Sequence, residues 1–138
     1  MVAYNKFEQY VEDLAHQVHG QDTDQFTVAL MAGAPSASLD AVLADITEIS
    51  YTNLSARDIT TASSAQTGGV YKLTLTDLVL TATGAVATFR YVVIYNNTPA
   101  SPLDPLVSWY DHGSNVTLAN GETFTIDFDD SNGFHQIA

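Results

Sequence analysis

Four histidines and sixteen carboxylates are the side chains of this chain with the means to hold a metal or move a proton, and cysteine is absent. His16 and His19 lie three residues apart, a spacing that puts both on one side of a helix, as metal-binding pairs require. No third ligand is near them in sequence and no H-E-x-x-H pattern occurs, so they read as solvated residues at a helix end. Asp127-Phe-Asp129-Asp130-Ser-Asn132-Gly133 resembles the start of a calcium loop. Its sixth position is Asn132 rather than glycine, and the twelfth is Ala138 rather than glutamate, so it reads as an acidic turn. Asp111 and His112 are adjacent and would point to opposite faces of a strand, which keeps them apart as an acid–base pair. Serine and threonine are plentiful, yet none sits in G-x-S-x-G, and no glycine-rich phosphate loop precedes a helix. The turn-borne carboxylates suggest no enclosed cleft for glycoside chemistry. The expectation is no catalytic residue, no metal and no cofactor: not an enzyme.

Binding is the remaining option. Tyr91, Tyr95, Trp109 and Tyr110 could stack on sugars, but they sit inside alternating strands, which favours packing in a core or a subunit interface. Only four basic residues (Lys6, Arg57, Lys72, Arg90) face the sixteen acidic ones, a formal net charge of −12. Nucleic-acid binding needs clustered cations to displace counterions, so no nucleic-acid partner is expected. An anionic membrane surface is disfavoured for the same reason. No apolar run approaches the ~20 residues of a membrane span. The first twenty residues carry Glu8, Glu12 and Asp13 rather than a signal-peptide core, so synthesis in a cytoplasm is expected.

These residues must be positioned by elements the pattern makes visible. At 138 residues and 46% hydrophobic composition, the chain suits one domain, residues 1–138. Residues 4–19 predict an amphipathic helix: Phe7, Val11, Leu14 and Val18 form a stripe widened by Tyr10 and Ala15, with Gly20 as the stop. From residue 25 the period becomes that of strands. Phe26–Met31 is the first; a short helical turn is expected at 40–44, and Arg57–Ala65 reads as an exposed polar edge strand. Gly68-Gly69 turns the chain into a strand carrying Tyr71, Leu73 and Leu75, whose alternation slips at Asp77. Ala85–Tyr95 is apolar on both faces near its end, the mark of a central strand, with Phe89, Tyr91, Val93 and Tyr95 on one side. Asn96–Pro105 is a proline-rich surface loop, and Leu106–Asp111 another strand turned by His112-Gly-Ser. Asn120-Gly121 predicts a hairpin between Val116–Leu118 and Phe124–Phe128, and Phe134–Ile137 a closing strand. Seven to nine short strands predict a mainly β domain: an antiparallel β-sandwich or jelly-roll-like barrel over 25–138, with one N-terminal amphipathic α-helix on its surface.

Four segments carry a resemblance: Val42-Leu-Ala-Asp-Ile-Thr-Glu-Ile49, Phe89-Arg-Tyr-Val-Val-Ile-Tyr-Asn96, Trp109-Tyr-Asp-His-Gly-Ser114 and Asn120-Gly-Glu-Thr-Phe-Thr-Ile-Asp-Phe128. Their order, with the opening helix and the Ala34-Pro35 turn, resembles a family of small structural proteins of tailed bacteriophages across nearly the whole chain. Met31-Ala-Gly33 is less polar than that pattern, and His135 is unexpected in the closing strand. The resemblance implies a cement (decoration) protein on the capsid exterior of the virion, made in the host cytoplasm, with the major capsid protein as partner and self-association as a homotrimer. It brings no catalytic residues. A tail or tail-fibre module that binds a host-surface glycan or receptor is the alternative, using the aromatic strands or the 96–105 loop. The exposed face of the helix and the Asn96–Pro105 loop are the expected contact elements. Whether the helix docks on a partner or covers the core stays open at this level.

Overall fold

The computed structural model describes residues 2–138. Ten strands and one α-helix follow in the order β1 (Asn5–Lys6), α1 (Glu8–Ala15), β2 (Phe26–Met31), β3 (Asp58–Ile59), β4 (Thr61–Thr67), β5 (Val70–Leu75), β6 (Leu78–Thr81), β7 (Phe89–Asn96), β8 (Leu106–Val116), β9 (Thr123–Ile126) and β10 (His135–Ile137). A 3-10 turn at Leu43–Asp45 overlaps only the end of the short helical turn expected at 40–44. All pairings are antiparallel and form three sheets, β1-β8-β7-β2-β3, β10-β5-β4 and β6-β9. The fold is a mainly β, sandwich-like one, as the strand pattern predicts.

The five-stranded sheet is the central layer. Every residue of β2 is buried, because β7 and β3 flank it and both of its faces are covered. On one face Phe26, Val28, Leu30, Val92 and Ile94 share a core with Leu73, Leu75, Leu80, Ile126, Phe128 and Phe134 from the smaller sheets and the C-terminal segment. The opposite face, with Ala29, Met31, Val93, Tyr95 and Val107, is covered by the arm between β2 and β3, which brings Leu43, Ile46, Ile49 and Tyr51 against the core. Beyond the short β3 the edge of β2 would expose unpaired backbone groups. The arm satisfies them: Leu30 O accepts from Ile49 N, Leu30 N donates to Tyr51 Oη, and Val28 binds Arg57 through both its N–H and its carbonyl. Tyr51 in turn is clamped between Glu48 and the Arg57 guanidinium, 3.6 Å above its ring.

Four expectations are corrected. The helix is shorter than 4–19: residues 5–6 pair with Ser108 and Trp109 of β8 as a strand, and the helix runs only over 8–15. Its end is set by Gln17 (φ 63°) rather than Gly20. Val18 N donates to Asp13 O and Gln17 N to Leu14 O, the pair of bonds of a Schellman cap. The buried line is Phe7, Tyr10 and Asp13, so Val11 faces solvent at 51% exposure. Second, Phe89 leaves the face of Tyr91, Val93 and Tyr95, because the β7–β8 register shifts between Phe89 and Tyr91; its ring meets Phe124 edge-on at 5.1 Å. Third, β8 does not turn at His112 but runs on to Val116, with residues 112–115 bulging out of the β7 ladder. Fourth, Asn120-Gly121 joins no hairpin: Val116 pairs with Phe89, and β9 pairs with β6, whose chain crosses to that sheet after the slip at Asp77.

Candidate functional site

His19 is 7% exposed, which corrects its reading as a solvated residue, while its neighbour His16 is exposed and 3.7 Å from Glu12. The Schellman turn redirects the chain after Ala15, so the two imidazoles part. His19 Nδ1 lies 3.0 Å from Asn96 Nδ2. An amide nitrogen only donates, so Nδ1 accepts and the ring carries its proton on Nε2. Asn96, fully buried at the end of β7, also donates to Asp24 Oδ2 at 2.6 Å and accepts from Thr98 N at 3.1 Å. The Tyr10 ring sits between His19 and His135, edge-on at 4.9 and 5.7 Å, and its hydroxyl accepts from Gln21 Nε2 at 2.6 Å. Burial pushes both imidazoles below the ordinary histidine range; Asp13 and Asp24 oppose this at His19, and Lys6 adds to it at His135. The group locks α1 and the 19–25 turn onto β7 and β10. It is a structural polar core.

The other chemistry-bearing residues are similarly occupied. Asp111 is held by Arg90 through two bonds of 2.7 and 2.9 Å and by Gly113 N, with its carboxyl pulled below the usual range mainly by Arg90. His112 instead lies 3.1 Å from Ser114 O and edge-on to Phe124. In the 127–133 segment Asp129 accepts from Ser131 N, Asn132 N and Asn132 Nδ2, each at 2.8 Å, so its oxygens close the turn. Among the described residues no three histidine or carboxylate side chains converge as metal ligands.

The four aromatics do not form one platform. Tyr91 and Trp109 stack edge-on at 6.1 Å on the arm-covered face, Tyr95 is buried, and Tyr110 lies on the core face, 6.0 Å from Tyr4. Tyr110 does line a cleft of about 500 Å³, with Val92, Phe124, Phe128, Asp127 and His112, where the five-stranded sheet and β9 part. Periodicity could not announce it, since the cleft depends on the packing angle of two sheets.

Both expected contact elements, by contrast, come together at one end of the domain. The 37–43 segment is bonded to the helix through Glu8 N and Ala37 O, and to the proline-rich loop through Leu43 N and Asp104 O and the Val42–Pro105 bridge. Leu39 in that segment is 81% exposed and Leu103 in the loop 66%, beside a helix whose Val11 also faces out. The polar surround includes Asp40, which caps Ser36 N, and Asp45, whose carboxylate accepts from Ala41 N and Val42 N and is lowered by those bonds. Sequence reasoning named the helix face and the loop but did not single out Leu39.

Fold and composition together define a small acidic β-scaffold. No protein-family model, no curated protein and no solved structure matches the chain.

Proposed function

We propose that this chain is a virion structural protein of a tailed bacteriophage, a cement (decoration) protein that bridges major capsid subunits on the outside of the head. The observation that carries the reading is the end of the domain where Leu39, Leu103 and Val11 stand exposed on a hydrogen-bonded framework joining helix, arm and loop. Exposed aliphatic anchors with a polar rim suit binding to another protein: the anchors desolvate on contact, and the hydrogen-bonded backbone beneath them needs little ordering. A capsid expanded around DNA is strained at its subunit junctions. A small domain burying roughly 1,000 Å² at each junction becomes effective through repetition over many copies. The charge of −12 keeps the free protein soluble at high concentration and suits the face of the shell away from DNA. Self-association as a trimer near threefold positions is part of the reading and follows from the resemblance. The test is cryo-EM of the particle that carries the chain, with heads lacking it compared under osmotic shock. Ordered copies across subunit junctions and earlier bursting without them are expected; density confined to the tail sinks the proposal.

The aromatic cleft favours a second reading, a tail module that holds a host-surface glycan against Tyr110, Phe124 and Phe128. The free protein would then bind glycan arrays, and replacing Tyr110 would abolish that signal.

A further inference from the structure

We propose that the outer edge of β4 is a self-association site, where two copies of this chain pair their β4 strands antiparallel about a twofold axis. Natural sheets blunt their edges with short strands, charges or proline, because unpaired N–H and C=O groups template pairing with another chain. The other strands that end a sheet here follow that rule by length: β1 and β3 have two residues, β10 three, and β6 and β9 four each. β4 has seven, with neither charge nor proline from Ile59 to Tyr71. A bulge between Thr61 and Ser63 bends its start, which leaves Ser63–Thr67 straight and ready. Apart from the ladder with β5, no backbone group of residues 62–67 has a backbone partner among the described residues.

The register follows from the turn. Gly68 and Gly69 both have positive φ (61° and 86°), so Thr67 and Val70 flank a two-residue hairpin loop as a hydrogen-bonded pair. Alternation then directs the N–H and C=O of Ala65 to Lys72, and those of Ser64 and Gln66 outward. A twofold axis at Ala65 sets Ser64 opposite Gln66 of the second copy and the reverse, closing four backbone hydrogen bonds. The Ala65 methyls face each other across the axis at the close, non-hydrogen-bonded spacing, which no large side chain obstructs. A second copy is the occupant because this edge is uncharged. Two molecules of net charge −12 approach there with no carboxylate on either strand, and salt screens the charge that lies farther off. Pairing one short strand buries less than the ~1,200 Å² of a standard interface, so the dimer forms with rising concentration rather than permanently.

The experiment is sedimentation equilibrium of the whole chain from micromolar to millimolar, with amide exchange read at Ser64 and Gln66. A mass that doubles, with both amides protected as concentration rises, is expected. Ala65→Glu places two carboxylates across the axis and should weaken association at least ~tenfold at unchanged melting temperature. Gln66→Pro, which removes an outward N–H together with the side-chain acceptor of Gly69 N, should also weaken association, with its melting temperature measured alongside. A monomer throughout, or an assembly of any size whose Ser64 and Gln66 amides exchange freely, overturns the proposal. The twofold contact is separate from the threefold association of the cement reading, so either can fail alone.

Discussion

With Nδ1 of His19 accepting from Asn96, the proton on Nε2 has no acceptor in the protein, and a second proton on Nδ1 would oppose the Asn96 donor. A histidine held below its ordinary value binds fewer protons folded than unfolded. Its contribution is therefore fully present above the unfolded value, about 6.5, and is lost as pH falls below it towards the folded value. His135 acts with the same sign. Urea midpoints should fall between roughly pH 8 and pH 5.5, well before the carboxylates titrate. His19→Gln should flatten that slope without abolishing it, since His135 remains; an unchanged slope would show that His19 keeps its ordinary value. At the other end of the chain Gly133 (φ 80°) leaves no space for a side chain. A Cβ would lie 2.5 Å from Lys72 Cγ and 2.7 Å from the Leu73 carbonyl, which accepts from Phe134 N. Gly133→Ala should cost about 1–3 kcal/mol in chemical denaturation, because both the backbone angle and the β5–β10 approach must give.

Among the elements, α1 is the most instructive. Its eight residues are too few to be stable alone, so it persists by burying Phe7 and Tyr10 against the sheet and by the left-handed turn at Gln17. A non-glycine residue in that conformation is strained by roughly 1–2 kcal/mol, so Gln17→Gly should raise stability by about 1 kcal/mol, readable as a higher urea midpoint. The sequence marked this helix by its apolar stripe, yet stripe and burial agree only in part. Tyr4–Lys6 continue the same apparent period, but β8 offers them a sheet edge, and tertiary pairing outweighs local preference. The strands β2, β5 and β7 were legible from alternation at Phe26–Leu30 and Tyr71–Leu75 and from apolar residues on both faces at the end of β7. Partnership was not legible. Asn120-Gly121 has the composition of a hairpin, but Gly121 N donates to Ala82 O and Glu122 N to Ala119 O, which sends β9 to β6. The candidate surface was half legible for a similar reason. Helix and loop could be named from exposure, but only the arm's hydrogen bonds reveal that they share one end with Leu39.

At the scale of the whole molecule the separation of roles decides what can be tested. Phe26, Phe89, Leu73 and Ile94 hold the layers together and are inaccessible, so replacing them informs on folding alone; Phe26→Ala should cost about 3–5 kcal/mol. Leu39 and Leu103 are the reverse case. At 81% and 66% exposure they add little to the folded state, and a polar replacement there should change stability by no more than ~0.5 kcal/mol. If they anchor the domain on a capsid, each loses its desolvation in the bound state when replaced. A hot-spot residue is worth more than ~1.4 kcal/mol, a factor of ten in affinity. The double variant Leu39→Ser, Leu103→Ser should thus melt as the parent does while occupying heads at least ~tenfold less in a co-sedimentation titration. High salt should leave this contact intact, since it is apolar and screening also relieves repulsion between acidic neighbours on the shell. Full occupancy by the double variant would place the docking surface elsewhere, and loss of occupancy at raised salt would mean that ion pairs rather than these two leucines hold the domain in place.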